Sequence, residues 1–205
     1  MIKTNQEIAK HHNLALICGD GRTLPQELQY FSTIGVPHDV FCVGRALQIY
    51  IPYIGRQPAA VNYVWLDEQM FTYARDQVED YIIRHSVFFD DKLKPAIDAL
   101  WTDDKGAEVM QWDGSSSFFA LIMAIELGYE RIMLAGCPLN AEPHWYDHVD
   151  ACGPLWTPET LRIWGRFKKK VDCDLIRSCS GYTQYLFGEP TIGWFKGKKT
   201  DRRAA

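Results

Sequence analysis

The sequence predicts a single α/β domain of the Rossmann-like, three-layer class, with a mainly parallel sheet and helices on both faces. Three observations lead there. Short apolar runs of strand length, Leu14–Cys18, Asp39–Val43, Val61–Trp65 and Arg131–Ala135, are separated by longer stretches, several with helical character. Residues 113–140, DGSSSFFALIMAIELGYERIMLAGCPLN, give in succession a polar turn, a buried helix, a tight stop and a core strand, which is half of a βαβ unit. The strands end in glycine, polar or charged residues. Gly19–Thr23, Gly44–Arg45, Asp67–Glu68 and the serines at 115–117 therefore converge on the carboxyl edge of the sheet, where open α/β folds bind ligands.

The totals agree with one domain. A chain of 205 residues that is 47% hydrophobic buries a full core, here spanning 1–195, with 196–205 (KGKKTDRRAA) reading as a basic, disordered tail. A formal net charge of −4 and a pI near 5.9 give no global basic field, which argues against nucleic acid and anionic membrane as partners. The six cysteines (18, 42, 137, 152, 173 and 179) contain no C-x-x-C pair. Cys18, Cys42, Cys137 and Cys179 sit in or beside apolar runs, as small buried hydrophobes of a reducing compartment do. No stretch reaches the roughly 18 apolar residues of a membrane span. The amino terminus lacks a signal-peptide core, so a cytoplasmic location without a membrane span is expected. Seven Trp and ten Tyr are generous for this length; a core is their commoner destination, with a binding cleft or homo-oligomer interfaces as alternatives.

Taken in order, Thr4 to Asn13 reads as a short capped helix. The strand Leu14–Cys18 runs into Gly19-Asp20-Gly21-Arg22-Thr23 and a helix through Leu24, Leu28 and Phe31. Strand, glycine loop and helix bring backbone N–H groups near a phosphate, though a third glycine of the dinucleotide fingerprint is missing; a tight turn that simply needs two glycines is the alternative. Residues 49–60 form a loop or irregular crossing, and 71–85 an amphipathic helix on the spacing of Tyr73, Val78, Tyr81 and Ile82. Residues 86–89 and 108–112 are short strand candidates, and 94–101 a brief helix. Asp90, Asp91, Asp103 and Asp104 mark a solvated acidic stretch. Ser115, Ser116 and Ser117 open the buried helix, and Gly128 stops it in the left-handed conformation. The serine hydroxyls and free N–H groups suit an anionic or sugar-like ligand, with a plain helix cap as the alternative.

His144, His148 and Cys152 follow the strand at intervals of four, but Pro143, Gly153 and Pro154 leave little room for a metal-binding helix. The same loop can fold over the sheet edge, where a histidine, either His144 or His148, can act as general base. A helix begins at Thr157-Pro158 and runs to Val171 with a basic outer side; Asp174–Cys179 is the last strand and Gly181–Phe187 a closing helix.

This order of features resembles a group of α/β proteins that includes bacterial CMP-sialic-acid-dependent sialyltransferases and archaeal-type 6-hydroxymethylpterin diphosphokinase-like proteins. The first loop of that group, G-x-G-P-S-L, stands here as Gly19-Asp-Gly-Arg-Thr-Leu24. Its serine turn, L-G-Y helix end and glycine-terminated strand stand as Ser115–Ser117, Leu127-Gly128-Tyr129 and Ile132–Gly136. The resemblance covers residues 14–140 in order. It implies that Gly19, Gly21 and Thr23, with Ser115 to Ser117, hold a nucleotide, and that a histidine after the last core strand is the base. Arg22 replaces the loop proline, and Gly44-Arg45 stands where the sialyltransferases carry an asparagine that contacts nucleotide. Those departures argue against sialyl transfer itself, while two guanidinium groups suit a diphosphate.

The sequence thus points to a transferase that binds a nucleotide or nucleotide-sugar between the Gly19 loop and the serine turn. Gly19, Asp20, Gly21, Arg22, Thr23, Arg45, Ser115, Ser116 and Ser117 form the binding site. A magnesium-dependent pterin-type diphosphokinase, with Asp67 and Glu68 as metal ligands through water, is the alternative, as is a non-catalytic nucleotide-binding protein.

Overall fold

The computed structural model describes residues 10–46, 48–50, 61–65, 82–85, 116–140, 142, 144–146, 158–172 and 174–197, with 61–65 and 82–85 described by backbone alone. Six strands, β1 (Leu14–Cys18), β2 (Asp39–Val43), β3 (Val61–Trp65), β4 (Ile82–His85), β5 (Arg131–Ala135) and β6 (Ile176–Ser178), form one sheet in the order β4-β3-β2-β1-β5-β6. Every neighbouring pair is parallel. Helices α1 (Leu24–Ile34), α2 (Ser116–Glu126), α3 (Pro158–Lys168), α4 (Gly181–Phe187) and α5 (Ile192–Phe195) accompany it.

β1, β2 and β5 are buried on both faces, and their alternate residues divide into two cores. Ala15, Ile17, Phe41, Val43, Ile132 and Leu134 face α2, α3 and α4, meeting Phe118, Trp164, Phe167 and Phe187. Leu14, Leu16, Cys18, Val40, Cys42, Met133 and Ala135 face the other way onto α1 and α5, meeting Leu28, Phe31, Trp194 and Phe195. A period of two along β1, β2 and β5 therefore builds the expected three layers. α2 lies across the middle of the sheet and touches β1, β2, β3 and β5, which explains why Phe118 to Ala124 are all buried and why the helix lacks a polar stripe. Its stop at Gly128 (φ 73°) takes the left-handed conformation.

Several local expectations shift. Residues 82–85 are the edge strand β4 rather than the end of an amphipathic helix, and Lys10 to Asn13 are not helical. Residues 46 and 48–50 are helical, so the loop or irregular crossing expected at 49–60 does not begin at 49; its remainder, 51–60, lies outside the described residues. The strand candidate at 174–179 narrows to Ile176–Ser178, and α5 occupies a segment with no forecast. The candidates at 86–89, 94–101 and 108–112 lie outside the described residues. Among the described residues no helix is long and apolar enough to cross a membrane.

Two buried charged residues brace the frame. Asp39, fully buried at the start of β2, accepts hydrogen bonds from the Tyr129 hydroxyl at 2.8 Å and from the His11 and His12 N–H groups at 2.9 and 3.0 Å. Arg177 donates to the carbonyls of Ile176 and Phe187 and to Asp174, which fixes α4 against β6.

Candidate functional site at the β1–β5 edge

The strand order reverses direction at β1. The chain builds outward from β1 through β2, β3 and β4, then returns to place β5 on the other side of β1. That reversal is a topological switch point, and the crevice beyond the carboxyl ends of its two strands is where doubly wound sheets take ligands. Here those ends are Gly19-Asp20-Gly21 and Gly136-Cys137-Pro138.

The two ends are joined closely. Gly19 N–H donates to the Ala135 carbonyl and Gly21 N–H to the Gly136 carbonyl, both at 2.8 Å. A Cβ on Gly19 would lie 2.6 Å from both Cys137 Sγ and the Gly136 oxygen, and 3.0 Å from Ser117 Oγ. A Cβ on Gly21 would lie 2.6 Å from Pro138 Cδ. The glycines are thus required for close approach to β5, and their N–H groups are already used. This corrects the expectation that the loop offers those N–H groups to a phosphate. α1 adds little at its amino end, because Leu24 N–H closes onto the Gly21 carbonyl and Pro25 carries no N–H.

The same contacts bring the serine turn to this edge. Ser117, in the first turn of α2, lies beside Gly19, next to which the Cys137 thiol also sits. Ser116 opens α2 one residue earlier, and Ser115 lies outside the described residues. Thr23 pairs through its hydroxyl with Ser180 at 3.2 Å, so the turn after β6 also reaches the rim. Ser180 had no place in the expected site, although its position just past the last strand is the same signal that marked the other strand ends. Thr183 anchors that turn, donating to the Cys137 carbonyl at 2.7 Å.

Beyond β5 the chain passes back across the rim as a strap at residues 144–146. His144 forms an antiparallel bridge with Gly21, and Trp145 N–H donates to the Asp20 carbonyl at 3.1 Å. Arg22 Nε reaches the His144 carbonyl at 3.4 Å, a long hydrogen bond. The His144 and Tyr146 rings stack at 5.0 Å and 11°. The Arg45 guanidinium lies over the Tyr146 ring, 4.5 Å from its centroid. Residues 144–146 of the expected lid lie against the glycine loop as a strap, which carries His144 there; 147–154 lie outside the described residues. His148, Asp67 and Glu68 lie outside the described residues.

Asp20 occupies the centre of this arrangement. Its Oδ2 accepts from Arg45 N–H at 3.2 Å and from the Tyr146 hydroxyl at 3.4 Å, and it lies so close to Gly44 that a side chain there would collide with it. Oδ1 is shielded from solvent and has no hydrogen-bond partner among the described residues. Burial raises the Asp20 carboxyl to about 6, against the lowering effects of the Arg45 N–H, nearby His144, the Tyr146 hydroxyl and the Ala46 N–H. A carboxyl poised there exchanges protons near neutral pH. A second buried acid, Glu27 of α1, reaches under the rim and accepts from Gly136 N–H at 2.7 Å, which holds the end of β5 in place.

The nearby thiols are structural. Cys18, Cys42 and Cys137 are buried and free, and burial pushes Cys137 up to about 12. Cys18 and Cys179 are raised for the same reason, so Cys18, Cys137 and Cys179 are not thiolate nucleophiles. A shallow hollow of about 570 Å³ lined by Lys168, Lys169, Asp172 and Tyr185 lies at the carboxyl ends of α3 and α4, away from the switch point.

Comparison of the chain with protein-family models, with curated proteins and with solved structures gives no match in any of the three.

Proposed function

We propose that the chain is a transferase that binds a nucleotide or nucleotide-sugar at the carboxyl edge between β1 and β5. One observation carries this reading: the Gly19 loop, the amino end of α2 and the His144–Tyr146 strap meet at the topological switch of a parallel sheet. Because Gly19 and Gly21 spend their N–H groups on β5, side chains hold the phosphates. Arg22 and Arg45 supply guanidinium donors, Ser116, Ser117, Thr23 and Ser180 supply hydroxyls, and the first turn of α2 supplies N–H groups. In the transfer step the acceptor hydroxyl forms its new bond as its proton passes to His144. The bond to the leaving phosphate breaks, and the two arginines take up the charge that develops.

The test has two stages. A thermal-shift panel of nucleotides, nucleotide-sugars and pterins, with and without magnesium, should find a ligand that raises the melting temperature; a hundredfold excess over its Kd adds about 2.7 kcal/mol of stability. That ligand is then incubated with a broad acceptor mixture and the products are analysed. A panel without any shift defeats the binding reading, and a ligand recovered intact leaves a binding protein rather than a transferase. EDTA separates the chemistries, since abolished turnover points to magnesium-dependent diphosphoryl transfer involving Asp67 and Glu68.

A further inference from the structure

We infer that anion binding at this rim is coupled to protonation of Asp20: a phosphate-bearing ligand is taken up together with a proton, which rests on Asp20 Oδ1. This rests on the nucleotide reading above and goes beyond it by naming the group whose charge decides when the rim accepts a ligand. The two oxygens of the carboxyl have different tasks. Oδ2 accepts from Arg45 N–H at 3.2 Å and from the Tyr146 hydroxyl at 3.4 Å, so a proton placed there would face two donors. Oδ1 is shielded from solvent and has no partner among the described residues, so the proton belongs on it. Without that proton, a negative charge stands beside the place proposed for the phosphates. With it, the carboxyl is neutral, and Oδ1–H is a donor whose acceptor the ligand can supply, as in other sites where burial keeps an acid neutral.

The titratable and charged groups around this carboxyl come from each neighbouring element. Arg45, on the turn after β2, gives its backbone N–H, while its guanidinium lies over the Tyr146 ring. On the strap, His144 favours the ionised form through its charge, and the Tyr146 hydroxyl does so by hydrogen bonding. Arg22, on the first loop, reaches the His144 carbonyl. Cys137, just past β5, stays a neutral thiol because burial pushes it up to about 12. Burial of Asp20 outweighs the groups that favour its charge and holds it at about 6. An arriving anion brings a like charge and raises that value further, so binding at neutral pH draws a proton from solution. Affinity is therefore highest below about pH 6 and falls as pH rises through that value, because the ionised carboxyl must first regain its proton.

The experiment titrates ADP-, CDP-, GDP- and UDP-glucose into the full chain by calorimetry at about pH 5.5 and about pH 7.5, and at about pH 7 in two buffers of different ionisation enthalpy to count protons. These diphosphate diesters keep one charge over that interval, so a change with pH reports the protein. The best ligand should bind wild type about twentyfold more weakly at the higher pH, with uptake of more than about half a proton near pH 7. Asp20→Asn keeps an oxygen for the Arg45 N–H and puts a neutral amide in place of the acid. It should lose both effects and bind more tightly than wild type at the higher pH. His144→Gln should retain the proton uptake. Uptake that survives in Asp20→Asn, or wild-type binding that is level with pH and takes up no proton, overturns the inference and leaves the proposed function standing. Failure of all four ligands to bind at either pH overturns both. If Asp20→Asn does not fold, His144→Gln decides: uptake retained supports the assignment to Asp20, and uptake lost refutes it.

Discussion

Replacing Asp20 by asparagine removes one titrating group from the centre of the rim while keeping its shape and an oxygen for the Arg45 N–H. The Asp20 carboxyl stands at about 6 in the folded chain against 3.8 in its ordinary setting, chiefly because it is buried. Between those values the native state holds the proton that the unfolded chain has released. Stability therefore falls as pH rises from about 4 to about 6, and levels off above that. A shift of about two units corresponds to a total of about 3 kcal/mol, of which about 1 kcal/mol is already lost at pH 4.5. Urea unfolding of wild type and Asp20→Asn at pH 4.5 and 7.5 should thus show the variant gaining about 2 kcal/mol relative to wild type over that interval. The constant cost of the substitution cancels in this difference. If the two proteins keep the same stability gap within about 0.5 kcal/mol at both pH values, Asp20 is not a buried, raised carboxyl and the argument fails.

Two further outcomes test the frame beneath the site. Gly19→Ala places a methyl group 2.6 Å from the Gly136 carbonyl oxygen, and backbone there has little freedom to yield; overpacking of about 1–3 kcal/mol outweighs the gain of about 0.4–1 kcal/mol from a stiffer unfolded chain, so thermal melting should fall by several degrees. Tyr129→Phe removes the 2.8 Å hydrogen bond to fully buried Asp39 and should cost about 1.5–3 kcal/mol in chemical denaturation, without changing ligand affinity, since Asp39 lies at the opposite end of the strands from the rim.

Much of the fold was legible because its information is local. β1, β2 and β5 are short apolar runs, and both of their faces turn out to be covered. Gly128 announced the end of α2, and the free cysteines went where small hydrophobes go. β4 was misassigned because Val78, Tyr81 and Ile82 fit a helical period, while the adjacent pair Ile82-Ile83 fits an edge strand equally well. The site was half legible. Its location follows from strand endings, but the use made of Gly19 and Gly21 does not, because their hydrogen-bond acceptors belong to β5, far along the chain. Glu27 looks like a surface acid on an amphipathic helix, and only the position of Gly136 shows why it is buried. Tyr146 lies in a loop without periodicity, so its place over the rim depends entirely on tertiary contacts.

The sheet is closed inside its margin: Leu14 is aligned with Arg131, so the seam between β1 and β5 joins an earlier and a much later segment of the chain. Until the later segment arrives, β1 presents one bare backbone flank with apolar side chains above and below, a template for unwanted pairing. The β1–β5 edge cannot be assembled in a half-made chain. Its appearance marks completed folding, and a ligand that occupies it closes the seam against reopening.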